Sequence, residues 1–261
     1  MRTTAPPPVR RVEVVMGFPV SLAVRGRHAD DGPGRSAWAA VLADLRRVEA
    51  EFSTRLPGSW TSRLDRGAVE PEDCPEHVRE VLDLAERARR ESGGAFDVRR
   101  RTADGSVRLD TDGVVKGWAL ERAAAHLLAL PDTGFCLSGG GDMLCHSGDG
   151  GPAWRIGIED PRDPHRVLAT VPVRDGAVAT SGTAHRGQHL VDARTGSHPS
   201  RVAQVTVVAD SLTWADVDAT AAYARDADAA RWLGTRPGRT GLVVWADGTT
   251  ATVAGPLRAA S

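Results

Sequence analysis

Lys116 is the only lysine in this 261-residue chain; every other side chain among its 33 lysines and arginines is arginine. The two cations differ in kind. Lysine carries a compact, strongly hydrated point charge on a flexible stem, and arginine a rigid planar fork. Lys116 stands in DTDGVVKGWALE, residues 110–121, with Asp110, Asp112 and Gly113 before it and Gly117 after it. This reads as a tight turn of backbone amides beside carboxylates and one ammonium, which can hold a phosphate, a metal or both. It also reads as an ordinary turn ahead of a helix. In SGGGDM, Ser138 to Met143, three consecutive glycines leave the backbone bare. Gly140 and Gly141 could present amides to a pyrophosphate with Asp142 beside them, or could form a plain hairpin turn. No GxGxxG fingerprint or Walker loop is present. Asp216 and Thr220 lie four apart in WADVDATAAYA, so a helix puts them on one face, with Asp218 off it. A carboxylate and a hydroxyl suit Mg²⁺, with water and substrate phosphates completing the shell; the plainer reading is a surface aspartate and a helix threonine. His189 and Asp192 in HLVDARTG offer a general base or a phosphate contact. Together these groups describe a phosphate-rich ligand with a divalent metal.

The elements that must position them follow from periodicity. Residues 1–11, rich in Pro and Arg, are expected to be disordered. Val12–Val24 reads as two short strands or one bent strand, broken at MGFP (Met16 to Pro19). Trp38, Val41, Leu42, Leu45, Val48 and Phe52 predict a helix over 36–52, capped by Ser36. Phe52–Gly67 reads as a loop, with Ser53, Ser59 and Ser62 free to bind a polar group. An amphipathic helix over 75–92 ends at Gly93, where Gly94 and Ala95 allow close approach of a ligand. A helix is expected over 118–130. Short strands are expected over 135–137, 154–159, 167–173, 177–180, 188–192 and 202–209. Helices follow from Trp214 to Ala224 and on to Leu233, then a hairpin around Asp247-Gly248. With no internal repeat and no strict strand–helix alternation, the class is α+β with largely antiparallel sheet.

Composition narrows the function. A net charge of −1 with both signs interspersed argues against a nucleic-acid binder. No window approaches the roughly 18 apolar residues of a membrane span. The N-terminus has neither the apolar run nor the cleavage box of a signal peptide. Three cysteines without a CxxC pair do not suggest a disulfide framework, and Cys136 and Cys145 read as small buried residues. The expected compartment is the cytoplasm.

The segments MGFP, FSTRLPGSWTSRLD, GGAFD, DTDGVVKGWALERA, LSGGGDM, ATSG, HLVDARTG and ADVDATAAYA occur in an order that resembles the ApbE-type FAD:protein FMN transferases, from Met16 to about Ala224. The resemblance implies a T-fold-related α+β architecture, with largely antiparallel sheets and flanking helices, over one domain spanning 12–261. It implies FAD as substrate, bound in a cleft between the sheet regions. Met16, the loop with Arg55 and Ser59, and Ala95, Phe96 and Asp97 would hold the adenine and ribose side. Asp110, Lys116, Gly140, Gly141, Asp142, Thr180, Ser181, Leu190 and Asp192 would complete the FAD site, with Leu190 beside the flavin. Mg²⁺ would be held by Asp216, Thr220 and the Gly113 carbonyl. A Thr or Ser hydroxyl of an acceptor protein would attack the FMN phosphorus and AMP would leave, with His189 as base and Lys116 stabilising charge. The alternatives are hydrolysis of FAD to FMN and AMP, and a non-catalytic FAD-binding protein. The chain departs from the family pattern at four places: Arg55 for an aromatic residue, Asp112 for Gly or Ser, Glu121 for Asp, and Ala193 for Pro. Trp118 stands where many members have Tyr.

Overall fold

The computed structural model describes residues 7–102, 104–183, 187 and 190–257. Eight strands form one sheet: β1 (Val9–Val15), β2 (Phe18–Gly26), β5 (Thr133–Gly139), β6 (Asp142–His146), β9 (Asp175–Gly182), β10 (Val202–Ala209), β11 (Thr240–Trp245) and β12 (Thr250–Ala254). They lie in that order, and every neighbouring pair is antiparallel. Two separate hairpins pair β3 (Arg99–Arg101) with β4 (Val107–Leu109), and β7 (Trp154–Asp160) with β8 (Asp163–Val173).

Alternation along the strands gives the sheet two buried faces. One carries Val20, Leu22 and Val24 of β2, Phe135 and Leu137 of β5, and Val205 and Val207 of β10. On it pack α1 (Gly32–Phe52), α4 (Asp112–Ala123), the short α5 (Ala125–Leu128) and α6 (Leu212–Ala224), while α3 (Glu76–Glu91) packs on α4. The other face carries Ala23, Cys145 and Val178, which Trp154, Ile156 and Val173 of the β7–β8 hairpin cover. Phe135 and Leu137 are fully buried, each worth about 2–3 kcal/mol of apolar burial.

The structure corrects several boundaries. β1 begins at Val9, inside the segment expected to be disordered. The first helix begins at Gly32; its cap is Asp31, whose Oδ1 accepts from the Gly34 N–H at 2.9 Å, and Pro33 lies in its first turn. The expected loop over 52–67 contains α2 (Trp60–Asp65), capped by Ser59. The turn expected around Lys116 is helix: α4 starts at Asp112, so Gly113, Lys116 and Gly117 are helical. Of the strand expected over 188–192, residues 190–192 are irregular, and 188 and 189 lie outside the described residues. The two helices expected from Trp214 to Ala224 and on to Leu233 are present as α6 and α7 (Ala229–Leu233), with a single 3-10 turn between them.

Gly117 explains how α4 and α6 come together. A Cβ there would stand 3.0 Å from the Leu212 carbonyl oxygen and from the Thr213 Cα, and 3.3 Å from the Asp216 Cβ. A side chain here would push the two backbones apart by a few tenths of an ångström, so glycine favours this close crossing. Glu121, one turn on, fixes the crossing. Its Oε2 accepts from the Ser211 hydroxyl at 2.9 Å, the Thr213 N–H at 2.9 Å and the Thr213 hydroxyl at 2.6 Å. A carboxylate at a helix N-terminus also meets the positive end of the helix dipole.

Candidate active site

The crossing brings Lys116 onto two acids. Its Nζ lies 2.5 Å from Asp142 Oδ2 and 3.3 Å from Asp216 Oδ1. Asp142 is fully buried and Asp216 is 4% exposed. Asp142 is held from its other side by the Thr180 N–H, which donates to Oδ1 at 3.0 Å. Two buried carboxylates thus converge on one ammonium. On α6, one turn past Asp216, the Thr220 hydroxyl is 3.0 Å from the Ser181 hydroxyl of β9. Carboxylate and hydroxyl oxygens are hard donors that fit a Mg²⁺-like ion. Among the described residues no group of three or more His, Cys, Asp or Glu side chains could hold a metal. An ion here would therefore draw on hydroxyl, carbonyl, water or phosphate oxygens. Gly113 lies on α4 about a turn before Lys116, with the Phe96 ring against it: a Cβ there would be 3.0 Å from Phe96 Cε2.

Two hairpin turns rim this cluster at one end of the sheet. Gly139 and Asp142 are paired across a two-residue turn, Gly140-Gly141, whose φ values of 60° and 97° are both positive. A type I′ turn needs this and glycine permits it. In the β1–β2 turn Met16 takes φ 57°, which costs a non-glycine residue about 1–2 kcal/mol. The Gly140 N–H donates to the Pro19 carbonyl at 3.4 Å, joining the two turns.

The other predicted residues take distinct places. Ala95 and Phe96 are buried, and the Ala95 carbonyl accepts from the Ala193 N–H at 3.2 Å, which ties the GGAFD loop to DARTG. A proline at this position has no N–H and would lose this tie. Arg225, after α6, donates from Nη1 to the Ser92 carbonyl at 2.7 Å and holds the GGAFD loop from the other side. Asp192 is paired with Arg194 Nη2 at 2.6 Å. Burial raises the Asp192 carboxyl, but the Arg194 hydrogen bonds and charge outweigh it and hold it below the usual carboxylate range. The Leu190 carbonyl faces the His198 Nδ1 at 2.9 Å. Asp110 pairs with Arg100 at 2.9 Å and its Oδ1 accepts from the Asp112 N–H at 3.2 Å. Ser59 spends its hydroxyl as the α2 cap, accepting from the Ser62 N–H at 3.0 Å. Arg55 is exposed at the turn before α2. Asp97 accepts from the Arg99 N–H at 2.8 Å and lines a cavity of about 520 Å³ between α2, α3 and the β3–β4 hairpin, away from Lys116. His189 lies outside the described residues.

Sequence reasoning placed Lys116, Asp142 and Asp216 in a common site but assigned no contact between them. It missed Glu121, Arg194 and Arg225 as positioning groups. Glu121 was visible as a departure from the family pattern; the two arginines gave no local signal.

The model of the ApbE family matches residues 16–103 and 99–243. The chain belongs to the ApbE family. Over 130 residues it is 32% identical to a FAD:protein FMN transferase of Rhodobacter capsulatus, a match covering 46% of this chain and 25% of the relative. The match thus spans about a quarter of that relative's length. Solved ApbE structures share the fold. The ApbE protein of Thermotoga maritima superposes with a TM-score of 0.80 at 22% identity, covering 94% of this chain and 96% of that one. The flavin transferase ApbE of Vibrio cholerae gives 0.81 at 20%, covering 96% and 98%. The apo flavinyl transferase ApbE of Pseudomonas stutzeri gives 0.79 at 20%, covering 97% of each chain. The expected α+β class with largely antiparallel sheet is therefore the ApbE fold. In this ApbE chain Lys116 lies on α4, and Asp216 and Thr220 lie on α6. Gly117 keeps the two helices close.

Proposed function

We propose that this ApbE-family chain transfers FMN from FAD to a Thr or Ser hydroxyl of an acceptor protein, releasing AMP, in a Mg²⁺-dependent reaction, with residues 12–261 acting as one catalytic unit. The observation that carries the reading is the Lys116 ammonium set between buried Asp142 and Asp216, next to the Ser181–Thr220 hydroxyl pair. Splitting a pyrophosphate is mostly a matter of positioning and of neutralising charge at phosphorus. Asp142 and Asp216 orient Lys116 so that it meets an incoming phosphate without reorganising. Beside it, Gly141, with nothing within 4 Å of where a Cβ would stand, leaves backbone open for the pyrophosphate. Asp216, Thr220 and the Gly113 carbonyl would hold Mg²⁺, which supplies charge neutralisation on the phosphate oxygens. The acceptor hydroxyl oxygen forms the new bond to the FMN phosphorus while the bond to AMP breaks, and His189 takes the hydroxyl proton. Met16, Arg55, Ser59, Ala95, Phe96, Asp97 and Asp110 are assigned to the adenosine side, and Thr180, Ser181, Leu190 and Asp192 to the flavin side.

The test mixes purified protein, FAD and Mg²⁺ with and without a Thr-bearing acceptor, following AMP and in-gel flavin fluorescence after denaturation. Covalent label that EDTA abolishes supports the transferase. AMP with free FMN and no label replaces it with hydrolysis. Bound FAD without AMP replaces it with a binding protein.

A further inference from the structure

On the sheet face away from Lys116, Cys136 of β5 and Cys145 of β6 are register partners. Their hairpin closes at Gly139 and Asp142 around a two-residue turn, so the closing pair exchanges backbone hydrogen bonds and alternate pairs do not. Counting back, Cys136 and Cys145 fall on a non-hydrogen-bonded rung. There the Cα atoms of an antiparallel pair approach to about 4.5 Å, inside the range a disulfide spans. Both thiols are free, Cys145 buried and Cys136 half-buried. The wall beside them is cationic. Arg25, from the neighbouring strand, lies with its guanidinium 4.0 Å over the Trp154 ring. Its buried Nε–H has no hydrogen-bond partner among the described residues.

We propose that Cys136 and Cys145 form a thiol-oxidation site that takes a low-molecular-weight disulfide, with Cys136 as the attacking sulfur and Cys145 as the resolving one. The Cys136 thiolate attacks one sulfur of R–S–S–R, giving a mixed disulfide and releasing RS⁻, which takes up the Cys145 proton. The Cys145 sulfur then attacks Cys136 and expels the second RS⁻, which takes up the proton lost by Cys136. Two protein thiols and one disulfide become one protein disulfide and two RSH. The environment sets the roles. The hydrogen bond with Cys145, against burial, and the charges of Arg10 and Arg25 hold the Cys136 thiol below its ordinary range. The same hydrogen bond and burial push Cys145 up.

The reduced full-length protein is treated with oxidised glutathione and analysed by intact mass and non-reducing peptide mapping, alongside Cys136→Ser, Cys145→Ser and Cys74→Ser. Wild type and Cys74→Ser should lose two hydrogens and yield a Cys136–Cys145 cross-linked peptide. Cys145→Ser should stop as one glutathione adduct on Cys136, and Cys136→Ser should take up no adduct in the same time. The wild-type measurement does not depend on the variants folding. Wild-type protein that keeps its native circular dichroism and gives no cross-linked peptide overturns the proposal. So does first labelling at Cys74 or Cys145.

Discussion

Lys116→Arg keeps the charge but puts a planar fork where a point cation now lies 2.5 Å from one buried carboxylate and 3.3 Å from another. The guanidinium cannot occupy the ammonium's place without moving Asp142 or Asp216. The expected outcome is a fall in kcat of roughly tenfold or more, read from AMP release at saturating FAD. Asp216→Ala removes the carboxylate that α6 contributes. It should lower turnover by about 10²-fold or more, with the loss not recovered at higher Mg²⁺; wild-type turnover in this variant removes Asp216 from the site. Much of this was legible in the chain. A solitary lysine, a bare glycine run and an i,i+4 Asp/Thr pair each mark themselves by type and spacing. The pairing of Lys116 with Asp142 was not, because it joins a helix to a strand across the sheet and leaves no local pattern.

Elements carry effects that no single contact does. The N-terminus of α6 rests on Glu121, which accepts three hydrogen bonds from Ser211 and Thr213. Glu121→Ala should destabilise the protein by about 1–2 kcal/mol in chemical denaturation and lower kcat as Asp216 and Thr220 lose their support. Asp65, at the end of α2, holds the β3–β4 hairpin by accepting from the Leu109 N–H at 2.7 Å and from Arg108 at 2.9 Å. The Leu109 N–H, against burial and aided by Arg108, keeps its carboxyl below the usual value of 3.8. A depressed folded value means the stabilisation is present above the unfolded value and is lost as pH falls through the folded one. The denaturation midpoints of wild type and Asp65→Asn should therefore differ at pH 7 and converge well below pH 3.8. The early start of α4 escaped sequence reading for a physical reason. Gly113 and Gly117 carry no hydrophobic signal, yet they are the α4 positions that lie against Phe96 and α6. Ser59 was hidden likewise: behind Leu56-Pro57-Gly58 it looks like loop, and only its bond to Ser62 reveals a cap.

Across the whole molecule, one sheet separates two environments. The class and most strands were legible from alternation and turn residues, because antiparallel neighbours obey local rules. The order of the strands was not, since β2 pairs with β5 and β6 with β9 over long stretches of intervening chain. That order makes β6 a shared partition. Asp142 and Cys145 are three residues apart on it, an odd spacing, and so they look out from opposite sides of the pleat. Adding or removing one residue in the Gly140-Gly141 turn would flip the parity of the strand. It would send the carboxylate to the sulfur side and the thiol toward Lys116, whereas a change of two residues would leave each in its own compartment. In this part of the chain, tolerance to insertion depends on whether the length change is even or odd.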